Sequence, residues 1–106
     1  LQRATALIKN KNINYMQKTK VENIQNNSGR AVVNQFVIYT PEGRYFQSYA
    51  TVIAFVPFGG GQILIDRNKW DYSTTTGKYR NIFLGETKAE TTKKLNEGIY
   101  KFAELN

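Results

Sequence analysis

The run Asp66 to Gly85, D-R-N-K-W-D-Y-S-T-T-T-G-K-Y-R-N-I-F-L-G, is where the period of the chain changes. Ahead of it, β-branched and aromatic residues alternate as in strands. Within it, Tyr79, Ile82 and Phe83 recur at helical spacing. Ser73 has the side chain of an N-cap and Gly85 stands where a left-handed C-cap belongs. These signals predict a helix over 74–84, despite three threonines and Gly77 in its first turns. Trp70, the only tryptophan, is placed to anchor the turn before it.

Beyond Gly85, Thr87-Lys88-Ala89-Glu90 has the form of a capping box. It predicts a second helix to about Glu97, with Ala89, Thr92 and Leu95 inward and Gly98 as its stop. Ile99 to Leu105 alternates weakly and can return as a last strand.

Upstream, 21–25 reads as a short strand and Asn26-Asn27-Ser28-Gly29 as a turn. A strong strand follows over 30–40. Thr40-Pro41-Glu42-Gly43-Arg44 is a hairpin connection, and a three-residue loop with Gly43 left-handed is the expected form. That loop sets Thr40 opposite Arg44, Tyr39 opposite Tyr45 and Ile38 opposite Phe46. It makes Val32, Phe36, Ile38, Phe46, Ala50, Val52 and Ala54 a core face. Gln35, Tyr39, Tyr45, Gln47, Tyr49 and Thr51 become the other face. A two-residue loop would slip the register by one and mix the two. Arg44 to Phe58 reads as one long strand, bent before Pro57. Gly59-Gly60-Gly61 reverses the chain into a short strand over 62–66; it lacks the ending of a phosphate loop.

The expected fold is α+β: an antiparallel meander of three to four strands packed against two short C-terminal helices. The chain of 106 residues divides into a basic segment, 1–20, and a single domain, 21–106. In the first segment Leu1, Ala4, Leu7 and Ile8 have helical spacing, so it is a helix or an arm. It is too short and too polar for the apolar stretch of a signal peptide. No run approaches the ~20 apolar residues of a membrane helix.

Composition narrows the chemistry. Without cysteine there is no disulfide, thiolate metal site or thiol nucleophile; without histidine the commonest general base and metal ligand are missing. Asp66 and Asp71 can flank a metal or share a proton, but a turn-capping Asp71 beside a solvated Asp66 is the simpler reading. No serine or threonine has an evident base. The chain is therefore expected to be no enzyme and to need no cofactor.

Fifteen basic residues against eight acids give a net charge of +7. Lys9, Lys11, Lys18 and Lys20, with Arg3, stand in a segment with no acid. Such a balance favours anionic partners. Two constellations add to it. Ser73 to Thr76 at a helix start, with Lys78 and Arg80 a turn on, can hold a phosphate oxygen. Tyr39, Tyr45 and Tyr49 on a sheet face rimmed by Arg30, Arg44 and Arg67 resemble a stacking platform for single strands. Plain helix capping, and a covered sheet face, are the competing readings.

Ser48-Tyr49-Ala50-Thr51-Val52-Ile53-Ala54, then Trp70 to Tyr79 and Phe83-Leu84-Gly85, resemble a pattern of small accessory proteins of bacteriophages and mobile elements, S-Y-x-T-x-I-A followed by W-D-Y-S-x-T-T-x-K-Y and F-L. The likeness covers about 44–100. It implies a phage-like origin and a cytoplasmic setting, the host's if phage-encoded, and no reaction. The element order also loosely resembles single-stranded-DNA-binding folds of the transcription-coactivator type.

The expected function is non-catalytic nucleic-acid binding, single-stranded or weakly sequence-specific, DNA or RNA. Lys9, Lys11, Lys18, Lys20, Arg30, Arg44, Lys78 and Arg80 are expected at phosphates, and Tyr45, Tyr49 and Tyr72 at bases. The alternatives are a phage accessory protein that binds a host protein, and a self-assembling homo-oligomeric subunit. No membrane partner is expected.

Overall fold

The structure is a computed structural model and describes residues 19–106. Six strands follow in the order β1 (Lys20–Gln25), β2 (Ala31–Tyr39), β3 (Gly43–Ser48), β4 (Thr51–Pro57), β5 (Leu64–Asp66) and β6 (Lys101–Ala103). Helices α1 (Thr74–Leu84) and α2 (Lys88–Asn96) lie between β5 and β6. The sheet order is β1-β2-β3-β4-β5-β6. The first five strands are antiparallel neighbours, and β6 joins β5 in parallel. The class is α+β, as expected, with six strands in place of three or four. The extra strands arise because the stretch over 44–58 is two strands, because β1 pairs fully, and because 101–103 adds to the sheet.

One lateral row builds the core. Val37, Phe46, Ala54, Ile65 and Phe102 stand opposite one another across five strands. Phe46, Ala54 and Ile65 are fully buried beneath Tyr79 and Phe83 of α1, and Leu95 of α2 packs against the same cluster. Ile53 is an additional residue at a β4 bulge and enters the core as well. Both described helices cover this one face.

The β2–β3 hairpin differs from its expected register by one residue. Thr40 and Gly43 close a two-residue loop, Thr40 N–H donating to the Gly43 carbonyl at 2.8 Å. Thr40 Oγ1 accepts from the Glu42 and Gly43 N–H groups at 3.3 Å, which secures the tight form. Gly43 is not left-handed. It is glycine because a Cβ there would fall on the Val56 carbonyl oxygen and 2.7 Å from Pro57 Cα. The slip turns Phe36 and Ile38 to the helix-free face, where Tyr45 stands as expected, and brings Gln35 and Tyr39 to the helix side. Val32 still packs against the core, because Asn34 takes a left-handed φ of 66° and breaks the alternation.

A second tight turn divides the expected long strand. Ser48 faces Thr51, with Tyr49 and Ala50 as the loop. Tyr49 has φ 56°, a left-handed conformation that costs a non-glycine residue roughly 1–2 kcal/mol. Ala50 is exposed there and is no core residue, and Val52 faces Gln47.

The helix signals match. Ser73 Oγ accepts from Thr76 N–H at 3.1 Å, and Gly85 caps α1 with φ 71°. Thr87 and Glu90 form a reciprocal capping box on α2. Thr91, not Ala89, is the buried residue of α2, and Ile82 of α1 is largely exposed. Asp66 is buried rather than solvated. Its carboxylate accepts from the N–H groups of Lys69 and Leu105, at 2.9 and 3.0 Å, fixing both chain segments that leave the sheet there. No group of three or more acidic residues that could hold a metal occurs among the described residues, and none of their helices is long and apolar enough to cross a membrane.

Candidate functional site at the start of the first helix

The start of α1 is tied to the β3–β4 turn through three buried or half-buried hydroxyls. Ser48 Oγ lies 2.9 Å from Thr76 Oγ1, and Ser73 Oγ donates to Thr76 Oγ1 at 3.0 Å. Ser48 and Thr76 are completely buried. Small β-hydroxyl side chains suit this junction: they fit between helix and sheet and satisfy one another where water is excluded.

The residue after Ser48 and the residue before Ser73 leave this junction on the surface. They are Tyr49 and Tyr72, and they are 51% and 46% exposed. The Tyr49 backbone is held by its N–H to the Asn34 carbonyl at 2.6 Å, and its own carbonyl accepts from Gln47 Nε2 at 2.7 Å. Lys69 Nζ stands 5.6 Å from the centre of the Tyr72 ring. A depression of about 560 Å³ opens beside Tyr72, bounded by Ser73, Thr74, Lys78 and Lys88.

Behind the junction, Arg80 is the hidden part of the motif. It is 1% exposed. Its Nη1 donates to the Trp70 carbonyl at 2.6 Å and to Asp71 Oδ1 at 3.0 Å, and Nη2 donates to Asn81 Oδ1 at 3.1 Å. Its guanidinium lies 4.9 Å from the Trp70 ring, which itself packs on Phe102. Lys88 bonds the other oxygen of Asp71. Burial pushes the Asp71 carboxyl up, but the bonds from Lys88 and Arg80 outweigh it and hold it below its ordinary value.

A second closed cluster fixes α2. Glu86 accepts from Lys94 Nζ at 2.6 Å, Thr91 Oγ1 at 2.6 Å and Tyr100 Oη at 2.9 Å. Burial raises the Glu86 carboxyl, and the three donors overcome this and lower it. Burial and the bond to Glu86 raise the Tyr100 phenol.

The structure brings together only part of the expected site. Tyr49, Tyr72 and Lys78 gather around the start of α1, and Arg30 is exposed in the β1–β2 turn at the same end of the sheet. Arg80 is withdrawn into the core and cannot meet a phosphate. Arg44 faces the helices, 4.7 Å from the Phe83 ring. Tyr45 is on the helix-free face against Phe55, ring centres 4.5 Å apart. Tyr39 and Arg44 share the helix side, so the expected platform of Tyr39, Tyr45 and Tyr49 is not formed. Lys20 is exposed and paired with Glu22. Lys9, Lys11 and Lys18 lie outside the described residues, as does the expected N-terminal helix or arm. Lys69 and Lys88 are additions; Lys69, three residues before Tyr72, was legible only as a charge near an aromatic.

The model of a family of unknown function, DUF8033, matches residues 19–98. No curated protein and no solved structure matches the chain.

Proposed function

We propose, for a chain that belongs to this family of unknown function, non-catalytic binding of single-stranded nucleic acid at the start of α1. The observation that carries the reading is the hydroxyl junction. It ties the neighbours of two exposed tyrosines, Tyr49 and Tyr72, to the start of α1, where Lys78 and Lys88 line a depression beside Tyr72 and Lys69 stands near the Tyr72 ring. Aromatic rings stack on bases of any sequence, at about 1–3 kcal/mol per base. Helix N–H groups and lysines attract phosphates without reading sequence. The excess of cations over the whole chain supports the same reading.

The test is fluorescence anisotropy of a labelled thymidine 12-mer, and of the uridine 12-mer, over a salt series. Binding is expected to weaken steeply as salt rises. Tyr49→Ser and Tyr72→Ser should each weaken it several-fold, and Lys78→Ala should flatten the salt slope. Affinity independent of salt, or unchanged in both tyrosine variants, sinks the reading.

A further inference from the structure

One stripe of α1 borders the depression beside Tyr72. Thr74, Gly77, Lys78 and Asn81 lie three and four residues apart and line it, and Asp71 and Lys88 line it from the preceding loop and from α2.

Asp71 is the odd member of this set. A carboxylate repels a phosphate, so its place suits a ligand group that donates hydrogen bonds. Its side chain is 29% exposed. Oδ1 accepts from Arg80 and Oδ2 from Lys88. An ionised carboxylate has about four lone-pair sites, so each oxygen keeps capacity for a further donor. Asn81 Oδ1 is engaged by Arg80 Nη2, which leaves Nδ2 as the donating end of that amide. The depression thus offers two acceptor oxygens, an amide donor and an exposed aromatic ring.

Gly77 keeps the carboxylate open. Glycine within a helix is disfavoured against alanine. Nothing steric demands it here: a Cβ would lie 3.5 Å from Asp71 Oδ1 and 3.6 Å from Arg80 Nη2, ordinary contact distances, and its φ is not positive. That methyl would occupy the space beside Asp71 Oδ1.

Resting on the nucleic-acid reading above, we infer that this depression takes one guanine base of the bound strand. The base stacks on Tyr72, Asp71 accepts from its N1–H and N2–H groups, and Asn81 Nδ2 donates to O6. Guanine alone carries two adjacent N–H donors beside an acceptor on its Watson–Crick edge. Cytosine and adenine offer one amino group. Thymine and uracil offer one N–H between carbonyl oxygens that the carboxylate repels. The exposed Lys78 serves a neighbouring phosphate.

The test is anisotropy with thymidine 12-mers in which one central base is replaced by guanine, hypoxanthine, adenine or cytosine. Hypoxanthine differs from guanine only in lacking the N2 amino group. The guanine 12-mer should bind about fivefold tighter than the all-thymine one, and hypoxanthine should lose most of that gain. Asp71→Asn should tighten binding of the all-thymine 12-mer, because a negative charge leaves the site, and should remove the guanine preference. Gly77→Ala should reduce the preference without lowering the urea midpoint. Guanosine monophosphate should compete weakly; displacement of the guanine 12-mer at micromolar concentration identifies a free nucleotide as the occupant and overturns the inference. So does guanine binding no tighter than hypoxanthine in the parent protein, or a preference that survives in both variants. Binding of all 12-mers alike overturns this inference alone, and binding of none overturns the proposed function with it.

Discussion

Ser48 and Thr76, 28 residues apart in sequence, share a fully buried hydroxyl–hydroxyl contact of 2.9 Å. This contact joins the β3–β4 turn to the start of α1. Ser48→Ala leaves the Thr76 hydroxyl bonded only within its own helix cap. The loss is expected to be about 1 kcal/mol in urea melts, together with weaker oligonucleotide binding, because Tyr49 is no longer registered against Tyr72.

Tyr49 separates stability from binding. Its left-handed φ of 56° is strained for tyrosine and free for glycine. Tyr49→Gly is expected to raise stability by roughly 1 kcal/mol and to weaken binding of the 12-mers. Thermal melts and anisotropy on the same samples check both signs; a loss of both would assign Tyr49 to packing.

Arg80 and Lys78 should behave in opposite ways. Arg80→Ala leaves Asp71 short of a partner and the Trp70 carbonyl without its donor. Asp71 keeps Lys88, so the loss comes from emptying a fully buried site and orphaning the Trp70 carbonyl, about 2–5 kcal/mol. Lys78 is exposed, and Lys78→Ala should stay within about 0.5 kcal/mol of the parent while binding weakens. Urea denaturation of the two variants distinguishes the structural cation from the surface one.

Asp71 and Glu86 predict how the fold responds to acid. Both carboxyls are held below their ordinary values of 3.8 and 4.5. A depressed folded value means that the ionised form stabilises the fold. That contribution is complete above the ordinary values and is lost as pH falls through the lowered ones. The melting temperature should therefore decline below about pH 4.5. Glu86→Gln should lower it at pH 7 and make the acid decline shallower, as differential scanning calorimetry can measure.

Gln35 runs against the interior it occupies. It is fully buried, and neither polar atom of its amide has a partner among the described residues. A buried amide without partners costs about 1–3 kcal/mol. Gln35→Met keeps the length and removes that cost, so it should raise the melting temperature by several degrees.

Gln35 also shows what the sequence could and could not say. Helix limits were legible because they rest on local chemistry: Ser73, Gly85, and the Thr87–Glu90 pair each satisfy backbone groups within a few residues. The sheet register was not. Nothing in Thr40-Pro41-Glu42-Gly43 announces that Gly43 is required by the close approach of β4, and an amide looked misplaced inward. The turn at Tyr49–Ala50 carries no glycine, asparagine or proline, so it passed as strand. At the candidate site, Tyr49, Tyr72 and Lys78 are readable by residue type, as exposed aromatics and a cation. Arg80 was assigned to the surface because its charge was visible, whereas its partners at Trp70, Asp71 and Asn81 depend on how α1 lies on the preceding turn.

The parallel pairing of β5 with β6 has a consequence for the order of assembly. The first five strands connect to their neighbours through short turns, and such hairpins close in microseconds. β6 can pair only after a loop of about 35 residues, including both helices, has been brought round, and that closure is entropically dearer. The docking of β6 is thus the expected last step of folding. Phe102 arrives with it and lands against the ring of Trp70, the sole tryptophan. The protein carries its own optical clock: Trp70 emission should change in the slowest refolding phase, after tyrosine signals from the hairpins have settled.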